Sequence, residues 1–416
     1  MTSLGDQAGR DFLSIESNPP VSNNLSEIFS ERFAVSISTK KLQSRPTCPF
    51  DFWRLSLTGS QFEIGQQLAE FALKTLSMPP QGEDELSAAE ERSLDDIFKT
   101  YCSTLSQRAE GVAALFADRG LKGNRYSLSI ADQPPPFACS AASFASPPSP
   151  MLIRNFDFTL RSLAELVGMP AAQTRPMVDP VVLMKIAPDV GRQTISMVSM
   201  DLFVGAIDGI NDAGFCAALL SLTNENAIPK TPRFDRFDEL SIVRILIEQC
   251  ASVSEAVELF RDLPKYTVFL PCHYIVADRH SDSAILEWDD KGAHIFQGTR
   301  GGRLVCTNHC VATPDAGIKT TRQSDNTGSV ERYEQLSHTL QDAPHDRDAA
   351  WKAATLVRLN AFDAQADVFG GTLWSALYGL DPPSLEVRVL GQADDGIGGY
   401  NSVPIEYLQH GSPRNA

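Results

Sequence analysis

The spacing of hydrophobic positions along this 416-residue chain changes near residue 138. Between residues 61 and 118, apolar side chains recur every three or four positions, which predicts amphipathic helices. After residue 138, short apolar or alternating runs predict strands, with helical stretches between them. Strands in two batches separated by helices indicate an α+β protein in which helices cover the outer faces of two packed antiparallel sheets.

The individual elements follow from the same spacing. Upstream, it predicts a short strand over 53–57, a helix over 62–77 and a second helix over 83–118. The strands predicted after residue 138 are 151–158, 181–186, 194–200, 215–220, 273–277, 284–288, 293–296, 304–307, 372–378 and 385–390. The helices predicted between them are 240–249, 256–263, 330–340 and 347–360.

Composition divides the chain into three parts. Residues 1–50 contain Asn18-Pro19-Pro20 and scattered serines, and we expect a poorly ordered leader there. This leader lacks a positively charged start followed by an apolar run, and it therefore does not resemble a secretory signal. Residues 51–138 are predicted to form a helical N-terminal segment, and residues 139–416 to form the strand-rich core.

Charge and cysteine content narrow the possible partners and location. The 36 basic and 52 acidic residues give a net charge of -16, which argues against nucleic acid and anionic membranes as partners. No segment reaches the roughly 18 consecutive apolar residues that a membrane span needs. The cysteines lie mostly inside apolar runs, which indicates reduced core residues and a cytoplasmic protein. They are Cys48, Cys102, Cys139, Cys216, Cys250, Cys272, Cys306 and Cys310.

A proline run precedes one of these cysteines. Pro134-Pro135-Pro136 holds the backbone extended and cannot enter a helix, so it presents the bond between Ala138 and Cys139 in an open conformation. If that bond is cut, Cys139 carries both a thiol and an α-amine with a pKa of roughly 7.7–8.0. Nucleophile and base then belong to one residue. The alternative is that Cys139 is an inert buried cysteine.

Two charged residues follow Cys139 closely along the chain. Arg154 and Asp157 lie 15 and 18 positions after it, near enough for a hairpin to bring both to the new terminus. A carboxylate there would orient the ammonium group, and a guanidinium would hold a substrate carbonyl or carboxylate.

Three residues farther along could complete a site. Asn211 lies in a predicted tight turn and could offer a backbone N–H to an oxyanion, while the side-chain amide of Asn308 could supply a second donor. Arg332 follows Ser329 at the start of a predicted helix. The alternatives are that the asparagines are turn formers and that Arg332 lies on a solvated helix face.

The order of these motifs resembles the N-terminal-nucleophile (Ntn) hydrolases that cut linear amides. This group includes choloylglycine hydrolase, penicillin V acylase and, with the strongest resemblance here, the isopenicillin N (acyl-coenzyme A:6-aminopenicillanate) acyltransferase family. The resemblance covers roughly residues 53–392. The motifs that carry it are Thr58–Gly65, Cys139, Arg154-Asn155-x-Asp157, Asn211-Asp212-Ala213-Gly214, Thr307-Asn308-His309, Ser329-x-x-Arg332 and Gly371–Ser375.

The resemblance implies a four-layer αββα Ntn-hydrolase sandwich with an N-terminal helical layer. It also implies one precursor that cuts itself into an α chain ending at Ala138 and a β chain beginning at Cys139, which stay together. The substrate would be a linear N-acyl amide of the penicillin, N-acyl amino acid or peptide type, or an acyl thioester, with no cofactor. The implied roles are nucleophile for Cys139, amine holder for Asp157, oxyanion site for Asn308 and Asn211, and support of the cysteine or substrate for Arg154 and Arg332.

Two positions depart from the family pattern. Ala138 precedes the nucleophile where the acyltransferase has glycine, and Ile153 stands where a glycine often precedes the Arg-Asn pair. Because alanine is still small, we expect cleavage to occur, slowed by the narrower backbone freedom that a Cβ atom imposes.

Two other classes of function compete with this interpretation. Thiolates and imidazoles are the ligands that zinc prefers, and a zinc site could draw on Cys272, His273, Cys306, His309 and Cys310. However, their spacing matches no compact zinc finger. The second alternative is a non-catalytic binding module with the same fold, and the presence of every implied site residue argues against it.

Overall fold

The structure is a computed structural model that describes the chain in several stretches. The described residues are 37–43, 48–78, 86–128, 138–144, 149–162, 165, 175–222, 234–267, 271–289, 291–312, 328–359, 371–392 and 398–408. Most of the predicted leader, the proline run before Cys139 and part of the predicted second helix lie outside them.

Sixteen strands occur within the described stretches. In chain order they are β1 (Ser38–Gln43), β2 (Phe52–Gly59), β3 (Ala138–Phe144), β4 (Met151–Phe158), β5 (Val181–Pro188), β6 (Thr194–Val198), β7 (Ala206–Asn211), β8 (Cys216–Ser221), β9 (Cys272–Ala277), β10 (Ser283–Asp289), β11 (Gly292–Gln297), β12 (Arg303–Cys306), β13 (Gly371–Leu380), β14 (Pro383–Gln392), β15 (Gly398–Ser402) and β16 (Glu406–Tyr407). Every strand predicted from the sequence has a counterpart among them.

The strands form two sheets. The larger sheet has the order β1-β2-β5-β6-β7-β8-β9-β10-β11, with β2 and β5 parallel and its other neighbours antiparallel. The smaller sheet has the order β12-β3-β4-β13-β14-β15, and β16 pairs with β14. Strands β3 and β4 face β8 across the interior, and β13 and β14 face β7. The apolar core therefore lies between the two sheets.

Seven α-helices occur in the same stretches, and five of them pack directly on the sheets. They are α1 (Gln61–Glu70), α2 (Ala88–Tyr101), α3 (Ser103–Asp118), α4 (Ser241–Gln249), α5 (Val253–Asp262), α6 (Ser329–Gln341) and α7 (Arg347–Leu356). Helix α1 packs on β2, α4 on β7 and β8, and α5 on β9 to β11. Helices α6 and α7 pack on the smaller sheet. The four-layer αββα arrangement and the α+β class are confirmed.

The segment before Ala138 contributes strands as well as helices. Strand β1 lies inside the stretch predicted to be a poorly ordered leader, and β2 pairs with β5 along its whole length. The larger sheet is therefore built from both sides of the expected cleavage site.

The single helix predicted over 83–118 is instead two helices, because Cys102 adopts a non-helical conformation (φ -148°, ψ 61°) between α2 and α3.

Helices α1 and α3 cross at unusually close range. A Cβ atom added to Gly65 would lie 1.9 Å from the carbonyl oxygen of Arg108, and one added to Gly111 would lie 1.9 Å from that of Phe62. Glycine at both positions is what allows the two backbones to touch. The crossing leaves the side chain of Phe62 39% exposed, which differs from the core position that its helical spacing predicts.

A buried ion pair joins this helical layer to the rest of the molecule. The guanidinium of Arg108 on α3 donates to both carboxylate oxygens of Glu248 on α4, at 2.8 and 3.0 Å, and also to Gln61.

Among the described helices, none is long and apolar enough to cross a membrane. All eight cysteines lie in the described part of the chain, and no disulfide joins them.

Candidate active site

Strands β3 and β4 form the hairpin that the sequence predicts around Cys139. Their antiparallel register places Asp157 opposite Ala138 and Phe156 opposite Cys139. Both strands are buried along their whole length. The hairpin therefore brings Asp157 directly beside the bond expected to be cut.

The thiol of Cys139 receives a hydrogen bond from Arg154. Nη2 of Arg154 lies 2.9 Å from Sγ of Cys139 and also donates to the carbonyl oxygen of Leu219 at 3.2 Å. Both Arg154 and Cys139 are fully buried. Burial raises the pKa of the Cys139 thiol to about 11, and Arg154 opposes this by favouring the thiolate. In the uncut chain the thiol is therefore protonated near neutral pH.

Asp208 fixes the orientation of Arg154, and the sequence analysis did not identify it. Its carboxylate accepts hydrogen bonds from Nη1 of Arg154, from the hydroxyl of Tyr378 and from the indole N–H of Trp374 at 3.2 Å. The sequence does contain a signal for Asp208, because it is the single carboxylate in the mostly apolar strand β7. A charge buried in such a strand needs a partner.

Asn308 and Arg332 hold the backbone of Cys139. The N–H of Cys139 donates to Oδ1 of Asn308 at 2.9 Å. Nη1 of Arg332 donates to the carbonyl oxygen of Cys139, and its Nη2 donates to Oδ1 of Asn308 at 2.7 Å. Arg332 is buried, so the alternative of a solvated helix face is wrong for it.

The predicted oxyanion role of Asn308 requires its side-chain N–H groups, but these groups are directed at Ser221. Its Nδ2 donates to the carbonyl oxygen of Ser221 at 2.8 Å and to Oγ of Ser221 at 3.1 Å. Two donors on Oδ1 and a carbonyl acceptor on Nδ2 fix this orientation. An oxyanion role for Asn308 would require Ser221 to release one of these N–H groups.

Asn211 does not reach the cluster, which corrects its assignment to the oxyanion site. Its Nδ2 donates to the carbonyl oxygens of Ile247 and Cys250 at 2.8 and 2.6 Å. Its backbone N–H donates to the carbonyl oxygen of Phe215 at 3.0 Å. Asn211 ends β7 and closes the tight turn after that strand, which is the alternative role of a turn former.

Asp157 has one carboxylate oxygen bonded and one without a hydrogen bond. Oδ1 accepts from the hydroxyl of Thr372 at 2.5 Å. Oδ2 is buried with no hydrogen-bond donor in the described part of the chain, and Nη1 of Arg332 lies 3.8 Å from it. Burial raises the pKa of Asp157 above its ordinary value, although Arg332 and Thr372 oppose the shift. Oδ2 can therefore accept a further donor.

The segment that carries Asn308 is tied to the helix that carries Arg332. Oγ of Ser329, the first residue of α6, accepts the backbone N–H of Asn308 at 2.7 Å. The hydroxyl of Thr307 donates to the carbonyl oxygen of Ser329 at 3.0 Å. The motifs around residues 308 and 332, which are separate in sequence, are therefore one structural unit.

The cysteines and histidines considered for a zinc site are not grouped as metal ligands in the described stretches. No group of three or more cysteine, histidine or acidic side chains that could hold a metal ion occurs in the stretches that the structure describes. Both ring nitrogens of His273 face oxygen acceptors, Glu287 at 3.1 Å and the carbonyl of Thr307 at 2.5 Å. Because imidazole binds a metal through a free nitrogen lone pair, His273 has none to offer.

More than half of the chain matches one known protein family. The model of the acyl-coenzyme A:6-aminopenicillanic acid acyl-transferase family matches residues 146–394, which is more than half of the chain. The chain belongs to this family. The match includes Arg154, Asp157, Asn308 and Arg332 and begins just after Cys139. Family membership makes it an enzyme of the acyltransferase type.

Two solved structures are similar to this chain at low sequence identity. Penicillin V acylase from Agrobacterium tumefaciens is 16% identical over 60% of this chain and 83% of its own, with a TM-score of 0.42. A mutant of conjugated bile acid hydrolase from Clostridium perfringens is 11% identical over 66% of this chain and 97% of its own, with a TM-score of 0.43. No curated protein sequence matches the chain significantly.

Proposed function

We propose that this family member is a self-processing cysteine amidohydrolase or acyltransferase. Its precursor cuts the bond between Ala138 and Cys139, and the freed Cys139 then attacks the carbonyl carbon of a linear N-acyl amide. The observation that carries the proposal is the set of contacts on Cys139, since its sulfur, backbone nitrogen and backbone oxygen each have a dedicated partner.

We infer that self-cleavage proceeds in two steps. Sγ of Cys139 attacks the carbonyl carbon of Ala138, the carbon–nitrogen bond breaks, and the thiol proton ends on the nitrogen. Water then hydrolyses the resulting thioester, which leaves a carboxylate on Ala138 and frees the thiol. Asn308 supports this reaction because its Oδ1 holds the leaving nitrogen in place at 2.9 Å.

The α-amine of the new terminus then serves as the base. Its ordinary pKa of roughly 7.7–8.0 lets it take the thiol proton near neutral pH and return it to the leaving amine. Two acceptors favour its ammonium form, the Oδ1 of Asn308 and the unfilled Oδ2 of Asp157. Arg154 stabilises the thiolate. Arg332 donates to both the carbonyl oxygen of Cys139 and Oδ1 of Asn308, and so holds the two groups in fixed positions relative to each other.

Substrate turnover repeats the chemistry of self-cleavage. The thiolate takes the acyl group of the amide as a thioester and releases the amine. Water completes hydrolysis, or a second amine takes the acyl group in a transfer reaction. An acyl thioester can enter at the same point with its thiol as the leaving group. Penicillins, N-acyl amino acids and peptides all contain the required linear amide.

We further propose that the upstream fragment remains as a subunit and that the protein is cytoplasmic. Support for the subunit comes from β2, which pairs with β5, and from the ion pair between Arg108 and Glu248. Support for the location comes from the eight cysteines, which all lie within the described stretches and are not joined by disulfides. Secreted proteins commonly join their cysteines by disulfides.

Denaturing electrophoresis and N-terminal sequencing test the proposal. The purified protein should separate into chains of roughly 15 and 30 kDa, from scaling 45.4 kDa to residues 1–138 and 139–416. The larger chain should begin Cys139-Ser140-Ala141. A single full-length band after long incubation contradicts self-cleavage. Hydrolysis of penicillin V and of N-acyl amino acids by the cut protein then tests the activity.

A further inference from the structure

Two buried charged residues contact the segment around Asn308 on both sides of it. His273 lies in β9 and Glu287 in β10, and both are fully buried. Nδ1 of His273 lies 3.1 Å from Oε1 of Glu287. Nε2 of His273 lies 2.5 Å from the carbonyl oxygen of Thr307, the residue before Asn308. A direct contact therefore runs from this pair to the backbone next to Asn308.

The partners of His273 determine its charge. A carboxylate and a carbonyl oxygen can only accept hydrogen bonds, so both ring nitrogens must carry a proton. Burial alone would lower the pKa of His273, but the neighbouring Cys306 and Glu287 outweigh it and raise that pKa to about 10. The imidazole is therefore a cation near neutral pH.

Glu287 also binds the chain beyond Asn308. Its Oε1 accepts the backbone N–H of Val311 at 2.7 Å, and its Oε2 accepts that of Ala312 at 3.0 Å. Bonds with a charged donor or acceptor are roughly twice as strong as neutral ones. The backbone is thus held by the imidazolium before Asn308 and by the carboxylate after it.

We propose that His273 and Glu287 are positioning residues that hold Asn308 against the backbone nitrogen of Cys139. They act through the backbone of residues 307–312, because the bond from Cys139 N–H to Asn308 Oδ1 depends on where this segment lies. The inference rests on the proposed function, since its effect on activity requires Cys139 to be the nucleophile. A misplacement of about 1 Å in such a site can cost about 10²-fold in rate.

The variant Glu287→Gln tests this role, with penicillin V as the amide probe. It removes the carboxylate charge and leaves one oxygen to serve three donors. We expect the rate of self-cleavage and kcat to fall about 10²-fold while KM stays unchanged, because substrate contacts are kept. A crystal structure of the variant should show a lengthened distance between Asn308 Oδ1 and the nitrogen of Cys139.

Glu248→Gln is the matched control. It also removes the charge from a buried ion pair, but that pair joins Arg108 on α3 to Glu248 on α4. We expect this variant to lose stability and to keep kcat and the cleavage rate. If Glu287→Gln does not fold, His273→Gln replaces it, because that change leaves Glu287 with both of its backbone donors.

The outcomes separate this inference from the proposed function. A folded variant at 287 or 273 with unchanged kcat and cleavage rate overturns the positioning role, while an inactive Cys139→Ala variant still supports the nucleophile. If the wild-type protein neither cuts itself nor hydrolyses penicillin V, the proposed function fails. The distance from Asn308 Oδ1 to the nitrogen of Cys139 then decides the positioning role, and an unchanged distance overturns it.

Discussion

Asp208→Asn should weaken both the stability of the protein and the reactivity of Cys139. The carboxylate of Asp208 is fully buried and is the anionic partner of the equally buried Arg154. Asparagine has nearly the same size and keeps one acceptor oxygen, so the change creates no cavity. It removes the negative charge and directs an NH₂ group toward donors, which leaves the guanidinium without its counter-charge.

The expected stability loss follows from the burial of this pair. Removing one partner of a buried ion pair costs about 3–5 kcal/mol, because the remaining charge stays in a medium that solvates it poorly. Tyr378 and Trp374 also donate to Asp208, and one amide oxygen cannot keep all three bonds. A loss of this size is a large part of the roughly 5–15 kcal/mol that is typical of folded proteins.

The expected kinetic effect follows from the contact of Arg154 with the thiol. Arg154 lowers the pKa of Cys139 against the larger effect of burial, so a displaced guanidinium lets that pKa rise above about 11. Each unit of rise lowers the thiolate fraction about tenfold at a fixed pH below the pKa. We therefore expect self-cleavage to slow about tenfold for each unit by which that pKa rises.

Urea unfolding and a time course of chain cleavage measure the two effects. Asp212→Asn is the control, since Asp212 directly follows β7 and its nearest charged partner is the partly exposed Arg192, at 3.9 Å. The pair is long and its arginine is partly exposed, so it should contribute about 0–1 kcal/mol, as surface pairs do, and the control should stay close to wild type. If Asp208→Asn unfolds at the same urea concentration as wild type and cuts itself as fast, Asp208 does not hold Arg154 as we infer.

Four further predictions concern the site and the two chains. Cys139→Ala should leave one uncut chain without activity on penicillin V, whereas Cys310→Ser should still be cut; an active alanine variant would place the nucleophile elsewhere. Asn308→Ala should lower kcat about 10²-fold as the nitrogen of Cys139 loses its acceptor, and a change in KM alone would contradict this role. Asp157→Asn should move the amine-dependent limb of the kcat–pH profile to lower pH, because the lost carboxylate no longer favours the ammonium form; an unmoved limb would contradict that contact. Native size exclusion of the cut protein should give one species with both chains, and an active 139–416 chain recovered alone would show that the upstream layer is dispensable.

The amino-acid sequence by itself determined the fold class and the local contacts of the candidate site. Periodic apolar runs predict the strands because side chains alternate between the two faces of a sheet. Cys139, Arg154 and Asp157 are close in sequence, and a single hairpin brings them together. Local spacing is enough for contacts of this range.

Only the tertiary structure decided which distant polar groups meet. Asn211 and Asp208 are three positions apart in β7, yet Asp208 reaches Arg154 while Asn211 bonds to the end of α4. Likewise, the sequence indicates that Asn308 belongs to the site, but the choice between its oxygen and its amide depends on Ser221. Each buried polar atom bonds to whatever the packed sheets and helices place beside it, and no local pattern along the chain records that neighbour.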